Sequence, residues 1–361
     1  MKDKFFKDRL FYAAGFSVIL LCLLFIVFLL TTTHRQTISK LPLPFLSSSP
    51  RTVLSSPDPH NNPFGLLLSS GASSAKAMLA LNVSYYRPPQ SIAMSTWNGN
   101  CADCDWALQN KKKIFPTISN SSTLPSTPIS DPASFQKNLG AFLDKYHPEI
   151  IAIENEEDSP ANFSGSPKDY SAEIKLACSV AHARHVLCTN GGFSSETIGL
   201  LEFSSLLSPS TQGDACKFAL QTFPPLESNI LCNTTSVQQL TSSQIQAIVK
   251  GQQLLALYKQ SSLDLFNFHW YFTDANSLKQ TSEFSKIASG LPLVSNEVGQ
   301  KFLVPYAVEP LMQVFLNEHF RYSIWNAQDT NSSFGMIETD GSLRANGSEF
   351  RTITNSRFSS S

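Results

Sequence analysis

A chain of 361 residues can bury a large core, enough for one barrel-sized domain with additions. Its formal charge is −1, so it lacks the basic excess that phosphate-backbone binding needs, and nucleic acid is not an expected partner. Aromatics are plentiful (26 Phe, 9 Tyr, 4 Trp), which suits a packed core and a sugar-stacking cleft alike.

In chain order, residues 1–9 form a basic tail with Lys2, Lys4, Lys7 and Arg9. From Leu10 to Leu30 there is no charge and almost no polar group. Such a stretch, as a helix, spans roughly 30 Å, the thickness of a bilayer's hydrocarbon core. The apolar run is longer than a cleaved signal's, and Thr31, Thr32 and Thr33 follow it instead of a small-residue cleavage site. Residues 10–31 are therefore expected to be an uncleaved anchor. The preceding cations keep the tail cytoplasmic and send the rest across, making a single-pass type II membrane protein with a luminal or extracellular domain. Residues 32–63, rich in Ser, Thr and Pro and without period, read as a stalk.

Translocation agrees with two further counts. With Cys22 in the anchor, six cysteines remain, and Cys101–Cys104, Cys178–Cys188 and Cys216–Cys232 is the short-loop pairing among 15 connectivities. Cys101 and Cys104 lack a second pair or His cluster that would make them a zinc site. Asn-x-Ser/Thr sequons begin at Asn82, Asn120, Asn162, Asn233, Asn331 and Asn346, as in a glycosylated domain.

Beyond the stalk, short apolar runs alternate with helical patterns, the signature of βα units around a parallel sheet. Strands are predicted at Phe64–Leu68, Ser84–Pro88, Lys113–Ile118, Glu149–Glu154, His185–Thr189, Leu263–His269, Pro292–Asn296 and Tyr322–Trp325. Helices are predicted at Ala72–Leu81, Ala102–Lys111, Pro132–Tyr146, Tyr170–Ala183, Thr241–Gln260, Asn276–Ser289 and Tyr306–His319. Ser119 to Asp131 reads as one long loop. Buried parallel strands appear as continuous apolar runs, as in residues 149–154 and 263–271. The expected fold is an α/β (β/α)8 barrel over residues 64–350, with 351–361 a flexible tail. An open doubly wound sheet is the competitor, but no Gly-x-Gly-x-x-Gly turn follows an early strand.

In such a barrel, functional groups sit past the C-terminal ends of the strands. There the fourth strand reads Glu154-Asn155-Glu156-Glu157, and the seventh Asn296-Glu297-Val298-Gly299-Gln300. The second carries Tyr85-Tyr86-Arg87-Pro88, the sixth His269-Trp270-Tyr271, and the eighth Trp325-Asn326. This set, in strand order over most of residues 64–350, resembles the clan A glycoside hydrolases, a superfamily of retaining (β/α)8 enzymes. The resemblance implies that Glu156 of the Asn155-Glu156 pair is the acid/base and Glu297 the nucleophile. It implies Arg87 as a support of the nucleophile, His269 and Tyr271 as the common sixth-strand pair, and Trp325 as a sugar platform.

The chemistry suits these residue types. Glycosidic cleavage needs a proton on a poor leaving oxygen and stabilisation of an oxocarbenium-like centre, which two carboxyls about 5–5.5 Å apart supply without a metal or other cofactor. Glu156 should then be raised in pKa and Glu297 kept ionised by Arg87 and Tyr271, while Asn155 donates to a sugar hydroxyl. Water completes the cycle, and an acceptor sugar in its place would make a transglycosylase. Taken alone, the acidic run 154–158 reads as a solvated turn, His269 as a satisfied core histidine and Trp97, Trp270 and Trp325 as core aromatics. Glu154, facing away from Asn155, is expected to be a structural ion-pair partner, and Asn190-Gly191-Gly192 a turn beside the site. The expected partner is an oligo- or polysaccharide, with β-linked glycans favoured, and the membrane is met through residues 10–31. Oligomeric state is open. Two other classes fit the chain less well: a barrel that binds carbohydrate or protein without catalysis, and a type II glycosyltransferase, which lacks here an Asp-x-Asp motif.

Overall fold

The computed structural model describes residues 62–208, 210–300, 305–327 and 335–358, all within one compact unit, Leu54–Ser361. The expected tail, anchor and stalk up to residue 61 lie outside the described residues. No helix among the described residues is long and apolar enough to cross a membrane.

Eight parallel strands close into a barrel. They are β1 (Phe64–Leu67), β2 (Tyr85–Arg87), β3 (Lys113–Ile114 continuing as Thr117–Ser119), β4 (Ile150–Ile153), β5 (Leu187–Asn190), β6 (Phe266–Asn267), β7 (Leu293–Val298) and β8 (Ser323–Asn326). Each pairs with the next, β5 meeting β6 through bridges at Thr189–Leu265 and Phe193–Phe268, and β8 pairs with β1. Pro116 lies at the interruption of β3. Phe115 donates back to Tyr86 on β2, while the Pro116 carbonyl accepts from Ala152 on β4, so the residue without an N–H sits where β3 changes partner.

Side chains alternate across this wall. Tyr85, Phe115, Ile150, Ala152, Leu265, Val294, Tyr322 and Ile324 form one buried cluster, the barrel's interior. Phe64, Leu66, Tyr86, Ile151, Ile153, Phe266 and Phe268 belong to the larger cluster between strands and helices. Gly65 sits where an added Cβ would lie 2.5 Å from Ile324 and 2.6 Å from Tyr85, so only glycine lets the neighbouring rows interlock.

The predicted helices appear as α1 (Ala72–Ala80), α2 (Ala102–Gln109), α3 (Pro132–Tyr146), α4 (Pro167–His182), α8 (Ser242–Tyr258), α9 (Ala275–Ser289) and α10 (Val308–Asn317). Their starts are chemically explicit. Asp131 caps α3 ahead of Pro132, and Ser166 with Asp169 makes a reciprocal capping box ahead of Pro167 in α4. The disulfides are Cys101–Cys104, Cys178–Cys188 (tying α4 to β5) and Cys216–Cys232, the short-loop set.

Two expectations need correction. Between β5 and α8 the chain forms three further helices, α5 (Ser195–Leu206), α6 (Gln212–Thr222) and α7 (Pro225–Cys232), the last two joined by Cys216–Cys232. Helix α5 is buried continuously from Thr197 to Phe203, so it has no polar stripe to reveal a period. The expected flexible tail from residue 351 is instead helical as far as described. Helix α11 spans Ala345–Phe358, buries Phe350, Ile353 and Thr354, and sets Phe350 and Phe358 edge-on to Phe64. Weak local propensity hid it, because packing against β1 rather than sequence preference holds it.

Candidate active site

Above the apolar interior, the C-terminal ends of the strands carry a polar layer. The key irregularity is in β7. Ser295 pairs with Ser323 but Val298 pairs with Trp325, so Asn296 and Glu297 together oppose the single residue Ile324. A bulge of this kind re-aims side chains. Without it, alternation would place Glu297 on the side of Ser295, whose hydroxyl binds the Phe268 carbonyl in the wall. With it, Glu297 joins Asn296 over the barrel mouth.

Arg87, 4 % exposed, organises this layer. Its Nε donates to Thr117 Oγ1 at 3.2 Å, Nη1 to the Asn296 carbonyl at 3.0 Å and to Glu297 Oε2, and Nη2 to Asn155 Oδ1 at 2.8 Å. Tyr271 Oη donates to Glu297 Oε1 at 2.6 Å, and Asn326 Nδ2 donates to Tyr271 Oη at 3.3 Å. Burial pushes the Glu297 carboxyl upward, but the charges of His269 and Arg87 and the hydrogen bonds from Tyr271 and Arg87 outweigh it and hold the group at about 2. Glu297 is therefore an anion at every working pH.

The acidic run after β4 is not a solvated turn. Glu154 and Glu156 both take positive φ (62° and 43°), so the backbone swings sharply and sends successive carboxyls in different directions. Glu154 accepts from Asn120 N and Ser126 Oγ, anchoring the loop after β3. Glu157 accepts from Asn190 Nδ2 and Tyr258 Oη, tying β5 to α8. Asp158 accepts from Ser194 N and Oγ at the start of α5. Only Glu156 faces the mouth, 24 % exposed. The expected cationic partner for Glu154 proves to be another acid, Glu173. Burial and then the Glu154 charge push Glu173 well above the carboxylate range.

Glu156 Oε1 lies 3.0 Å from His269 Nδ1, and Glu297 Oε2 lies 3.9 Å from the same nitrogen. Glu156 Oε1 and Glu297 Oε2 are therefore no more than about 7 Å apart, a bound that accommodates the spacing of about 5–5.5 Å used for double displacement. His269 is fully buried. Its Nε2 faces Asn296 Oδ1 at 2.9 Å, an oxygen that already accepts from Asn267 Nδ2, so Nε2 donates. Nδ1 and Glu156 Oε1 then hold one proton between them. Burial acts to lower His269, but the Glu297 charge and the bond to Glu156 raise it overall. The Asn190-Gly191-Gly192 turn runs against the ring. At Gly192 (φ 105°) an added Cβ would lie 2.3 Å from His269 Nε2, so glycine is required for both conformation and space.

The fold thus brings Arg87, Asn155, Glu156, His269, Tyr271 and Glu297 together, but not Trp325. That ring is 1 % exposed, packs edge-on to Phe315 and Phe350, and donates to Ser323 Oγ. Ile324 points into the barrel, so Trp325 must point out toward the helices. Strand alternation in the sequence carried that signal. Sequence reasoning also missed Thr117 and Asn267, placed Asn296 and Asn326 at their strand ends without a role, and read Asn162 only as a sequon; the first four complete the polar layer. Asn162 Nδ2 donates to Glu156 Oε2 at 2.8 Å. Of the other sequon asparagines, Asn120 and Asn346 are buried with their amide nitrogens on backbone carbonyls, whereas Asn233 is exposed, its amide nitrogen on the Asn229 carbonyl. Asn331 lies outside the described residues.

The buried acids set a pH dependence of stability. Burial and then the Asp158 charge lift Glu157 to about 7, against hydrogen bonds from Tyr258 and Asn190. Burial also lifts Glu202 to about 7. A carboxyl with a raised folded-state value keeps a proton that the unfolded chain releases, so its stabilisation is present at low pH and lost as pH rises through the folded value. Glu297, being lowered, loses its share only on acidification toward about 2. The melting temperature should therefore fall between about pH 5 and about pH 8, and Glu157→Gln should flatten the fall and raise the value at the alkaline end. The Gln nitrogen would replace Glu157 Oε2, which has no protein partner. A thermal melt series in which Glu157→Gln is less stable than wild type at alkaline pH would contradict this.

No protein-family model matches the chain, and no curated protein matches it. Among solved structures, a glucosidase from Croceicoccus marinus is similar over 83 % of this chain and 69 % of its own, at 12 % identity and a TM-score of 0.55. A GH128 (subgroup II) endo-beta-1,3-glucanase from Sorangium cellulosum is similar over 80 % of this chain and 98 % of its own, at 13 % identity and a TM-score of 0.49. At these identities the likeness is one of fold. The closed barrel of this chain is a fold it shares with a glycoside hydrolase, as the resemblance in sequence order implied.

Proposed function

We propose that the chain is a retaining glycoside hydrolase acting on β-linked glycans, with Glu297 as nucleophile and Glu156 as acid/base. The observation that carries this reading is the convergence of two carboxyls from the ends of β4 and β7 on one nitrogen, His269 Nδ1, at 3.0 and 3.9 Å. The two environments differ as the two roles require. Glu297 is ionised and fixed by Arg87 and Tyr271, whereas Glu156 is hydrogen-bonded to His269 and Asn162 and partly open to solvent. In the first step Glu297 attacks the anomeric carbon while a proton passes from Glu156 to the leaving oxygen. In the second, water gives a proton to Glu156 and its oxygen bonds to the anomeric carbon as the glycosyl–Glu297 bond breaks, freeing the Glu297 carboxylate. An acceptor sugar in place of that water would give transglycosylation. Asn155, whose oxygen is held by Arg87, keeps its amide N–H groups for a sugar hydroxyl. Residues 10–31 serve in this reading as a type II anchor that puts the barrel on the luminal or extracellular side.

The test is to incubate the purified full-length chain with aryl β-glycosides, a β-glucan, mannan and galactan panel, and 2-deoxy-2-fluoro aryl β-glycosides. Turnover together with a fluoroglycosyl mass on the peptide containing Glu297 is the expected result. No turnover and no label, or a label on another residue, would overturn the assignment.

A further inference from the structure

We infer that Asn162 is a positioning residue for Glu156, and that working molecules carry no glycan on it although it heads a sequon. The inference rests on the glycosidase reading above. Asn162 Nδ2 is the second hydrogen-bond partner of Glu156, opposite His269, so one carboxyl oxygen faces a shared proton and the other a fixed donor. The fixed donor sets the orientation of the carboxyl that must hand over a proton in the first step and activate water in the second.

The surrounding loop is built to hold that donor still. Ser126 N donates to the Asn162 carbonyl at 2.7 Å, Ser164 N and Oγ both donate to the Ser126 carbonyl, and Asn162 N donates to Ser159 O. Phe163 is 1 % exposed and packs edge-on to Tyr170. An added Cβ at Gly165 would lie 2.5 Å from the Phe163 ring. Ser126 also donates to Glu154, so the loops after β3 and β4 are stitched together beneath Asn162. A sugar on Asn162 Nδ2 would replace the hydrogen that Glu156 accepts, or turn it away, and would set a pyranose ring at the barrel mouth. Exposed Asn233 has no such conflict.

The experiment compares full-length wild type, Asn162→Ala, Asn162→Asp and Ser164→Ala, made in a secretory eukaryotic host, by glycopeptide mapping and by pH profiles of kcat/KM. Ser164→Ala abolishes the sequon and leaves Asn162 held through the Ser164 N bond to the Ser126 carbonyl, so it should keep far more of the wild-type rate than Asn162→Ala. Asn162→Ala should lower kcat/KM about 10- to 100-fold with an unchanged melting temperature. Asn162→Asp removes the amide donor and sets a like charge beside Glu156, and should lower kcat/KM and change its pH profile. Active wild type should be glycan-free at Asn162. Active wild type carrying a glycan there, or both Asn162 variants keeping the wild-type rate and profile, overturns the inference alone. A wild type that neither turns over a glycoside nor takes the fluoroglycosyl label removes the glycosidase reading and this inference with it.

Discussion

Glu297→Gln is expected to lower kcat/KM by about 10⁴-fold or more on every substrate, because an amide cannot form the glycosyl ester on which both steps depend. Glu156→Gln should behave differently. With a nitrophenolate leaving group the first bond breaks without a proton, so the glycosyl-enzyme still forms and accumulates, and the loss falls on the step that needs a base. With an alkyl or sugar leaving group both steps suffer. The ratio of the two losses is therefore the informative quantity, read from kcat/KM across leaving groups of different basicity and from a pre-steady-state burst. Added azide, which needs no general base, should restore turnover to Glu156→Gln and not to Glu297→Gln. If Glu297→Gln keeps even about a tenth of the activity, the nucleophile lies elsewhere. If the two variants show the same leaving-group dependence, Glu156 is not the proton donor.

Much of this site was legible in the sequence, but unevenly. Short apolar runs such as residues 149–154 announced buried parallel strands, and eight of them in order predicted the barrel. The acids Glu156 and Glu297 were found from motif order rather than from periodicity, and the β7 bulge explains why. Strict alternation would have turned Glu297 into the wall, and a bulge of one residue leaves no compositional mark. Trp325 shows the opposite case: alternation was right, and the expectation of a sugar platform overrode it. Asn162 was visible only as a sequon, since its bond to Glu156 depends on how the loops after β3 and β4 meet. The run 154–158 looked like one solvated feature because linear sequence cannot reveal that positive φ at Glu154 and Glu156 scatters its carboxyls.

Arg87 should be the most costly support to remove. It is 4 % exposed and its guanidinium reaches four partners on three other strands or strand ends: Thr117, Asn155, Asn296 and Glu297. Arg87→Met leaves Glu297 an anion in a site that burial alone would push toward neutrality. Breaking one side of a buried ion pair costs about 3–5 kcal/mol, so a marked drop in melting temperature is expected. Activity should fall as well, and the acid limb of kcat/KM should climb toward neutral pH, because Glu297 then needs a higher pH to ionise. Arg87→Lys keeps the charge but loses the planar fork, so it should retain more of the acid limb than of the rate. The decisive comparison is the double variant Arg87→Met with Glu297→Gln. If the penalty in Arg87→Met comes from a stranded charge, neutralising Glu297 relieves it, and the double variant should be at least as stable as Arg87→Met alone. A double variant whose losses simply add would mean that Arg87 acts by filling space and bonding Thr117 and Asn296, and that Glu297 is held ionised by His269 and Tyr271 without it.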